Sequence, residues 1–285
     1  MNNIVKVMNN IVKVRNLEKV KSLFGNLENN FLLACLQEIM GEVYSFDCDN
    51  PKSAVAVLGD FRIFAGEPDE NLLKFDYFDY KKDESKYDMC DCKRSDMEII
   101  IPQNYKWTEL IRSTFVESFE GTLDLKEIKR YSTFEDMSQF DLDKLNDIKN
   151  SIKEGFEILD IDEEIYKRCL ENEWSKDLVG IYKNYEDYSK KGIGVVLLDR
   201  SNNEIVSGAS SYCTFEGGIE VEIDTNEQHR RNGYALICGA SIILKCLERG
   251  IYPSWDAHNK GSIELAKKLG YREKDEYTAF ELYRK

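Results

Sequence analysis

Arg230-Arg231-Asn232-Gly233-Tyr234-Ala235 stands between an alternating, strand-like stretch, residues 219–223, and an apolar run of helical character, residues 236–247. A strand that feeds a basic, glycine-bearing turn and then a helix builds an anion cradle. The first N–H groups of a helix have no intrahelical partner and carry partial positive charge, so main chain alone can hold a diphosphate. Gly233 lets the backbone bend sharply and come close to a ligand. Ala235 keeps the first turn uncrowded.

Outward from this turn the pattern is regular. Upstream, residues 156–161 read as a strand, 163–171 as a helix and 177–182 as a second, shorter helical stretch. Residues 194–198, 205–212 and 219–223 then read as three strands, with turns at Ser201-Asn202-Asn203 and Glu216-Gly217-Gly218. Consecutive strands joined by short turns make an antiparallel meander. Downstream, residues 252–257 predict a strand, 260–269 a helix and 277–283 a final strand.

This order resembles the GNAT superfamily of acetyl-CoA-dependent N-acetyltransferases over residues 156–283. The hallmark Q/RxxGxG/A is matched by Arg230, Gly233 and Ala235. A second hallmark, an Asn, then a small residue and a helix ending in Leu-Gly-aromatic, is matched by Asn259, Ser262 and Leu269-Gly270-Tyr271. Two motifs in order, with the right elements between them, are more specific than either alone. More narrowly, the chain resembles the bacterial acetyltransferases that include the zwittermicin A self-resistance enzyme. That rests on its length, the Leu58-Gly59-Asp60-Phe61 turn and the run Glu220-Val221-Glu222-Ile223-Asp224-Thr225.

The resemblance implies an α/β (α+β) fold: a GNAT-type mixed, splayed central sheet flanked by helices, preceded by an N-terminal α/β domain. It also implies acetyl-CoA as co-substrate, with the amides of Arg231, Asn232, Gly233, Tyr234 and Ala235 on its pyrophosphate and Arg230 or Arg231 adding charge. The pantetheine arm is expected between strands 219–223 and 252–257. There the main chain near Ile223 and Thr225 would meet the acetyl and pantetheine groups, with Asn259 and Ser262 beside them. Glu220 and Glu222 are the candidate bases for the incoming amine, directly or through a water. Their alternation with Val221 and Ile223 also fits carboxylates that merely line the outer face of a strand. The tyrosine that the superfamily often uses as an acid falls on Ala266.

A net charge of −14 disfavours nucleic acid and anionic membranes and suits a small cationic amine as partner. No apolar run approaches the ~20 residues needed to cross a bilayer. The eight cysteines lack a disulfide-framework spacing, so reduced thiols in a cytoplasmic protein are expected. Cys90 and Cys92 are one residue apart, just two histidines exist, His229 and His258, and the spacing fits no common tetrahedral zinc pattern, so no metal is expected.

In the first half, MNNIVKV occurs twice, at 1–7 and 8–14, and reads as a duplicated or short helical extension. Residues 27–40 predict a helix closed by Gly41, residues 54–58 and 61–64 a hairpin turning at Gly59-Asp60, and 77–96 an exposed, charged loop. A strand at 97–101, a helix at 107–115, a strand at 123–134 and a polar connector at 138–152 follow. The expected organisation is an extension over 1–14, an N-terminal domain over 15–150 that shapes an acceptor pocket or a subunit contact, and the acetyltransferase domain over 151–285. A non-catalytic acetyl-CoA sensor or protein-interaction module is the alternative function. The acceptor itself is not legible, and resistance, metabolite and peptide roles stay open.

Overall fold

The computed structural model describes residues 11–75, 97–117 and 123–284. Its contacts divide the chain into two compact units, residues 1–129 with 278–285, and residues 130–277. Residues 130–150, assigned from sequence to the first domain, therefore fall within the second unit. The charged stretch at 77–96, including Cys90 and Cys92, lies outside the described residues.

In the first unit, β1 (Val12–Lys13), β2 (Glu42–Ser45), β3 (Ser53–Leu58) and β4 (Phe61–Gly66) form consecutive antiparallel pairs. Within the second copy of the repeat, the described residues form a short edge strand in place of a helix: Val12 pairs with Ser45 while Ile11 and Val14 are buried. The hairpin turns at Gly59-Asp60 as expected, with Leu58 opposite Phe61. The helix expected over 27–40 is shorter, Asn30–Leu36. It stops because Glu38 adopts φ 58° and Gly41 φ 78°, and a Cβ at Gly41 would lie 2.5 Å from Cys35 Sγ. A parallel strand β5 (Met97–Pro102) joins β4, and the helix Tyr105–Glu117 packs Trp107 and Ile111 into the apolar core with Phe64 and Ile100. Strand β6 (Leu123–Thr133) leads out of this unit.

The second unit begins with Arg130 and contains the elements that hold the cradle. Residues 142–150, expected as a connector, form a packed helix capped by Asp141, with Leu145 fully buried in the unit's core. A five-stranded sheet follows in the order β11-β10-β9-β8-β7: β7 (Phe156–Asp160), β8 (Gly194–Asp199), β9 (Glu204–Phe215), β10 (Gly218–Thr225) and β11 (Tyr252–Ser254). The meander β8-β9-β10 is antiparallel, and β11 joins β10 in parallel. Between β7 and β8 lie the Asp162-capped helix Glu163–Glu171, a single turn at Lys176–Leu178 and the Asn184-capped helix Tyr185–Lys191. The expected helical stretch at 177–182 is therefore one turn, with the helix placed later. The last strand, β12 (Glu273–Arg284), passes from the second unit back into the first.

One face of the sheet is covered by the helix Tyr234–Glu248, whose apolar residues share a core with Ile219 and Val221 of β10. The helix Lys260–Leu269 packs so closely beside it that a Cβ on Gly239 would meet Leu269 Cδ1 at 2.6 Å. Alternation along β10 then sends Glu220, Glu222 and Asp224 to the opposite face.

Candidate active site

The site forms where β10 loses a neighbour. Its parallel pairing with β11 runs Gly218↔Tyr252, Ile219↔Pro253 and Glu220↔Ser254, and stops. At the same point the β9–β10 register shifts between Glu220 and Val221, so that Tyr212 is the extra residue of a β-bulge. From Val221 to Thr225 the strand keeps β9 on one side and, among the described residues, has no strand partner on the other. This is the expected splay, in the expected place.

The cradle stands at the far end of that open edge. Gly233 has φ 83°, with nothing within 4 Å of a built Cβ, so glycine serves the left-handed backbone there and the surrounding space is open. Arg231 also adopts φ 65°. Among the described residues, the N–H groups of Arg231, Asn232, Gly233, Tyr234 and Ala235 make no hydrogen bond, although they precede the first closed turn of a 15-residue helix. Five consecutive free amides with an open approach fit a diphosphate. Arg230 is turned toward the end of β10, its Nε 3.4 Å from Thr225 O, and its guanidinium is largely exposed. The Tyr234 ring packs inward against Phe156, so only its amide belongs to the cradle.

The downstream motif caps its helix. Asn259 accepts the Ser262 N–H at 3.0 Å, and Ser262 Oγ accepts the Trp255 indole N–H at 3.0 Å. The Asn259 side-chain amide still faces solvent, whereas Ser262 Oγ is already engaged. Thr225 Oγ1 is bonded to Ser207 Oγ, which leaves its main chain as its contribution at the open edge. Tyr271 is a core residue, its hydroxyl donating to Pro253 O. Ala266 is fully buried, so the position where a tyrosine acid was sought points into the core.

The two candidate bases differ. Glu220 is 3% exposed and accepts the N–H of Asp256, just beyond the last β10–β11 pair. Glu222 is partly exposed and makes no ion pair among the described residues. The turn at Lys176–Leu178 lies over this face, since a Cβ at Gly208, the partner of Asp224, would strike Leu178 Cδ1. Desolvation, then the neighbouring charges of Asp224 and Asp177, push the Glu222 carboxyl up to about 8, against the opposing pull of Arg130 and the Ile223 N–H. Asp224 and Asp177 are raised as well, in each case chiefly by desolvation.

Sequence reasoning missed Asp177, Arg130, Asp256 and Tyr277. Arg130, 4% exposed, places Nε 3.0 Å from Asp256 Oδ1, and Tyr277 donates its hydroxyl to Asp256 Oδ2. Only the proximity of Asp256 to Asn259 in the sequence offered a signal for this group.

The splayed mixed sheet and the amide cradle at its open edge suit an acyltransferase. The family model for GNAT acetyltransferases matches residues 21–280, and the chain belongs to that family of acyltransferases. The solved GCN5-related N-acetyltransferase-like protein of Streptococcus suis 89/1591 is similar at 36% identity and a TM-score of 0.78, over 93% of this chain and 98% of that one. An uncharacterized N-acetyltransferase of Bacillus subtilis strain 168, YdfB, is 35% identical over 101 residues, which are 35% of this chain and 38% of that protein. A tandem GNAT protein from the clavulanic acid biosynthesis pathway shares the fold at 8% identity and a TM-score of 0.52, over 95% of this chain and 97% of that one.

Proposed function

We propose that the protein is an N-acetyltransferase that moves an acetyl group from acetyl-CoA to a primary amine of a small molecule, by direct attack in a ternary complex. The observation that carries this reading is the unpaired edge of β10, which joins the amide cradle at one end to Glu222 at the other. Arg231 through Ala235 would hold the pyrophosphate, with charge from Arg230 or Arg231. The main chain at Ile223 and Thr225, the Asn259 side chain and the Ser262 turn would line the path of the arm. The bound thioester supplies the electrophilic carbonyl.

Glu222 takes the proton of the bound ammonium, the neutral amine attacks the thioester carbonyl so that the N–C bond forms and the C–S bond breaks, and the second nitrogen proton passes through solvent to the departing thiolate. A carboxyl near 8 is closer to the ionisation of an alkylamine than an ordinary glutamate, which favours the transfer. Asp177 and Asp224 share its face of the sheet and, with the net charge of −14, favour an acceptor that arrives as a cation. Glu220, committed to the Asp256 amide, holds the split open in this scheme and is not the base. The described cysteines are free thiols, which supports a cytoplasmic setting. A self-resistance role, suggested by the narrower resemblance, belongs to the same proposal.

Purified protein mixed with acetyl-CoA and a panel of primary amines is expected to release free thiol with at least one of them. Tight CoA binding by calorimetry, no thiol release with any amine and no effect of Glu222→Gln would favour the sensor reading, which the buried Ala266 keeps in play.

A further inference from the structure

The split has two walls, and only one was anticipated. If the β10–β11 register continued past Glu220↔Ser254, Glu222 would face Asp256. Asp256 is gripped on every polar atom. Its N–H goes to Glu220, Oδ1 to Arg130 Nε at 3.0 Å, Oδ2 to the Tyr277 hydroxyl, and its carbonyl accepts from Arg130 Nη2 at 3.3 Å. Arg130 sits on β6, which closes this side. Beside it, Tyr131 exchanges backbone hydrogen bonds with Ala257 in both directions, at 2.9 and 2.8 Å, and Thr133 Oγ1 donates to Trp255 O. A guanidinium 4% exposed is costly to bury unless something fixes it and uses its charge.

We infer that Arg130 is a positioning residue of this site: by clamping Asp256 and Tyr277 it fixes the far wall of the split and sets a permanent positive charge facing Glu222. The inference rests on the reading of Glu222 as the base and extends it to a residue upstream of the region that carries the family motifs. The charged groups facing Glu222 are Asp224 on its own strand, Asp177 from the turn above it and Arg130 from β6, with Asp256 and Tyr277 behind the arginine. The first two oppose ionisation of Glu222, and Arg130 is the cation that favours it. Burial disfavours the Arg130 charge, but Asp256 and Tyr277 outweigh that cost and keep the guanidinium protonated. The wall therefore tunes the proton affinity of a group it does not hydrogen-bond.

The test follows the Glu222 side-chain carboxyl by carbon-13 NMR in protein labelled at glutamate, the resonance being assigned by its loss in Glu222→Gln. Arg130→Met removes the cation and strands Asp256, and the Glu222 midpoint is expected to rise by about one pH unit or more. Asp256→Asn removes the counter-charge and leaves Arg130 facing Glu222, and the midpoint is expected to fall. The double variant should return toward wild type. Opposite shifts from the two single variants are not produced by a merely structural role. Shifts in the same direction, or none, overturn the inference. If Arg130→Met does not fold, Asp256→Asn decides alone, and a midpoint that stays or rises overturns it. The titration needs no acceptor and no turnover. An acid limb that survives in Glu222→Gln kinetics therefore defeats the base reading without touching the test of Arg130.

Discussion

The two halves of β10 carry the same alternating sequence and end in different chemistry. From Gly218 to Glu220 the strand is paired on both sides, and Glu220 is buried and spent on the amide of Asp256. From Val221 to Thr225 one side has no strand partner among the described residues, and the Glu222 carboxyl lies among acidic neighbours. In the proposed scheme the two glutamates, two residues apart, divide into a structural clasp and a proton acceptor. What separates them is where the neighbouring strand stops. An outward-facing carboxylate gains reactivity when the ladder beside it opens, because the groups that would satisfy it move away while the desolvating neighbours remain.

Substitutions can break this comparison. The largest expected effect is on turnover: Glu222→Gln should lower kcat by roughly 10²–10⁴-fold, with little change in the apparent affinity for acetyl-CoA. Glu220→Gln, which can still accept the Asp256 amide, should leave kcat within a few-fold of wild type in the same steady-state assay. Next is the cradle. Gly233→Ala places a side chain at φ 83°, which costs about 1–2 kcal/mol. Because the space around that position is open, the strain should show as an acetyl-CoA dissociation constant raised about tenfold, measured by calorimetry, with the fold intact.

Removing the clasp acts on stability. Glu220→Ala leaves the buried amide of Asp256 unsatisfied and should cost about 1–3 kcal/mol in a urea melt. An unchanged midpoint would show that the β10–β11 junction does not depend on it. The last effect is a pH trend. The folded Glu222 carboxyl sits at about 8, above its ordinary value of 4.5. Its contribution to stability is complete below the ordinary value and is lost as pH rises through about 8. Wild type should therefore lose thermal stability relative to Glu222→Gln between about pH 5 and about pH 9, by calorimetric Tm.

The meander, the cradle and the helix after Asn259 were legible because each rests on a local rule: alternation, a left-handed glycine, an N-cap. The helix at Glu163–Glu171 and that at Lys260–Leu269 have the bounds the periodicity predicts. Where local rules compete, the reading failed. The apolar face over 27–40 extends past the point where Glu38 reverses the chain, and a polar segment around Leu145 is made helical by one buried side chain. The polar helix Tyr185–Lys191 is held by the Asn184 cap and by Tyr188, whose hydroxyl reaches Ser210 on β9. Arg130 was invisible for a related reason. It follows Lys126 and Lys129 in a stretch that reads only as a strand, and the tertiary pairing of Tyr131 with Ala257 brings it to Asp256.

The central claim, that Glu222 and not Glu220 takes the proton, is tested most directly by the pH dependence of kcat/KM, with an acceptor amine whose own ionisation lies well below that of Glu222. Wild type and Glu220→Gln are expected to share an acid limb with a midpoint at about 8, and Glu222→Gln to lack it. An acid limb retained in Glu222→Gln, or lost in Glu220→Gln, would contradict the account.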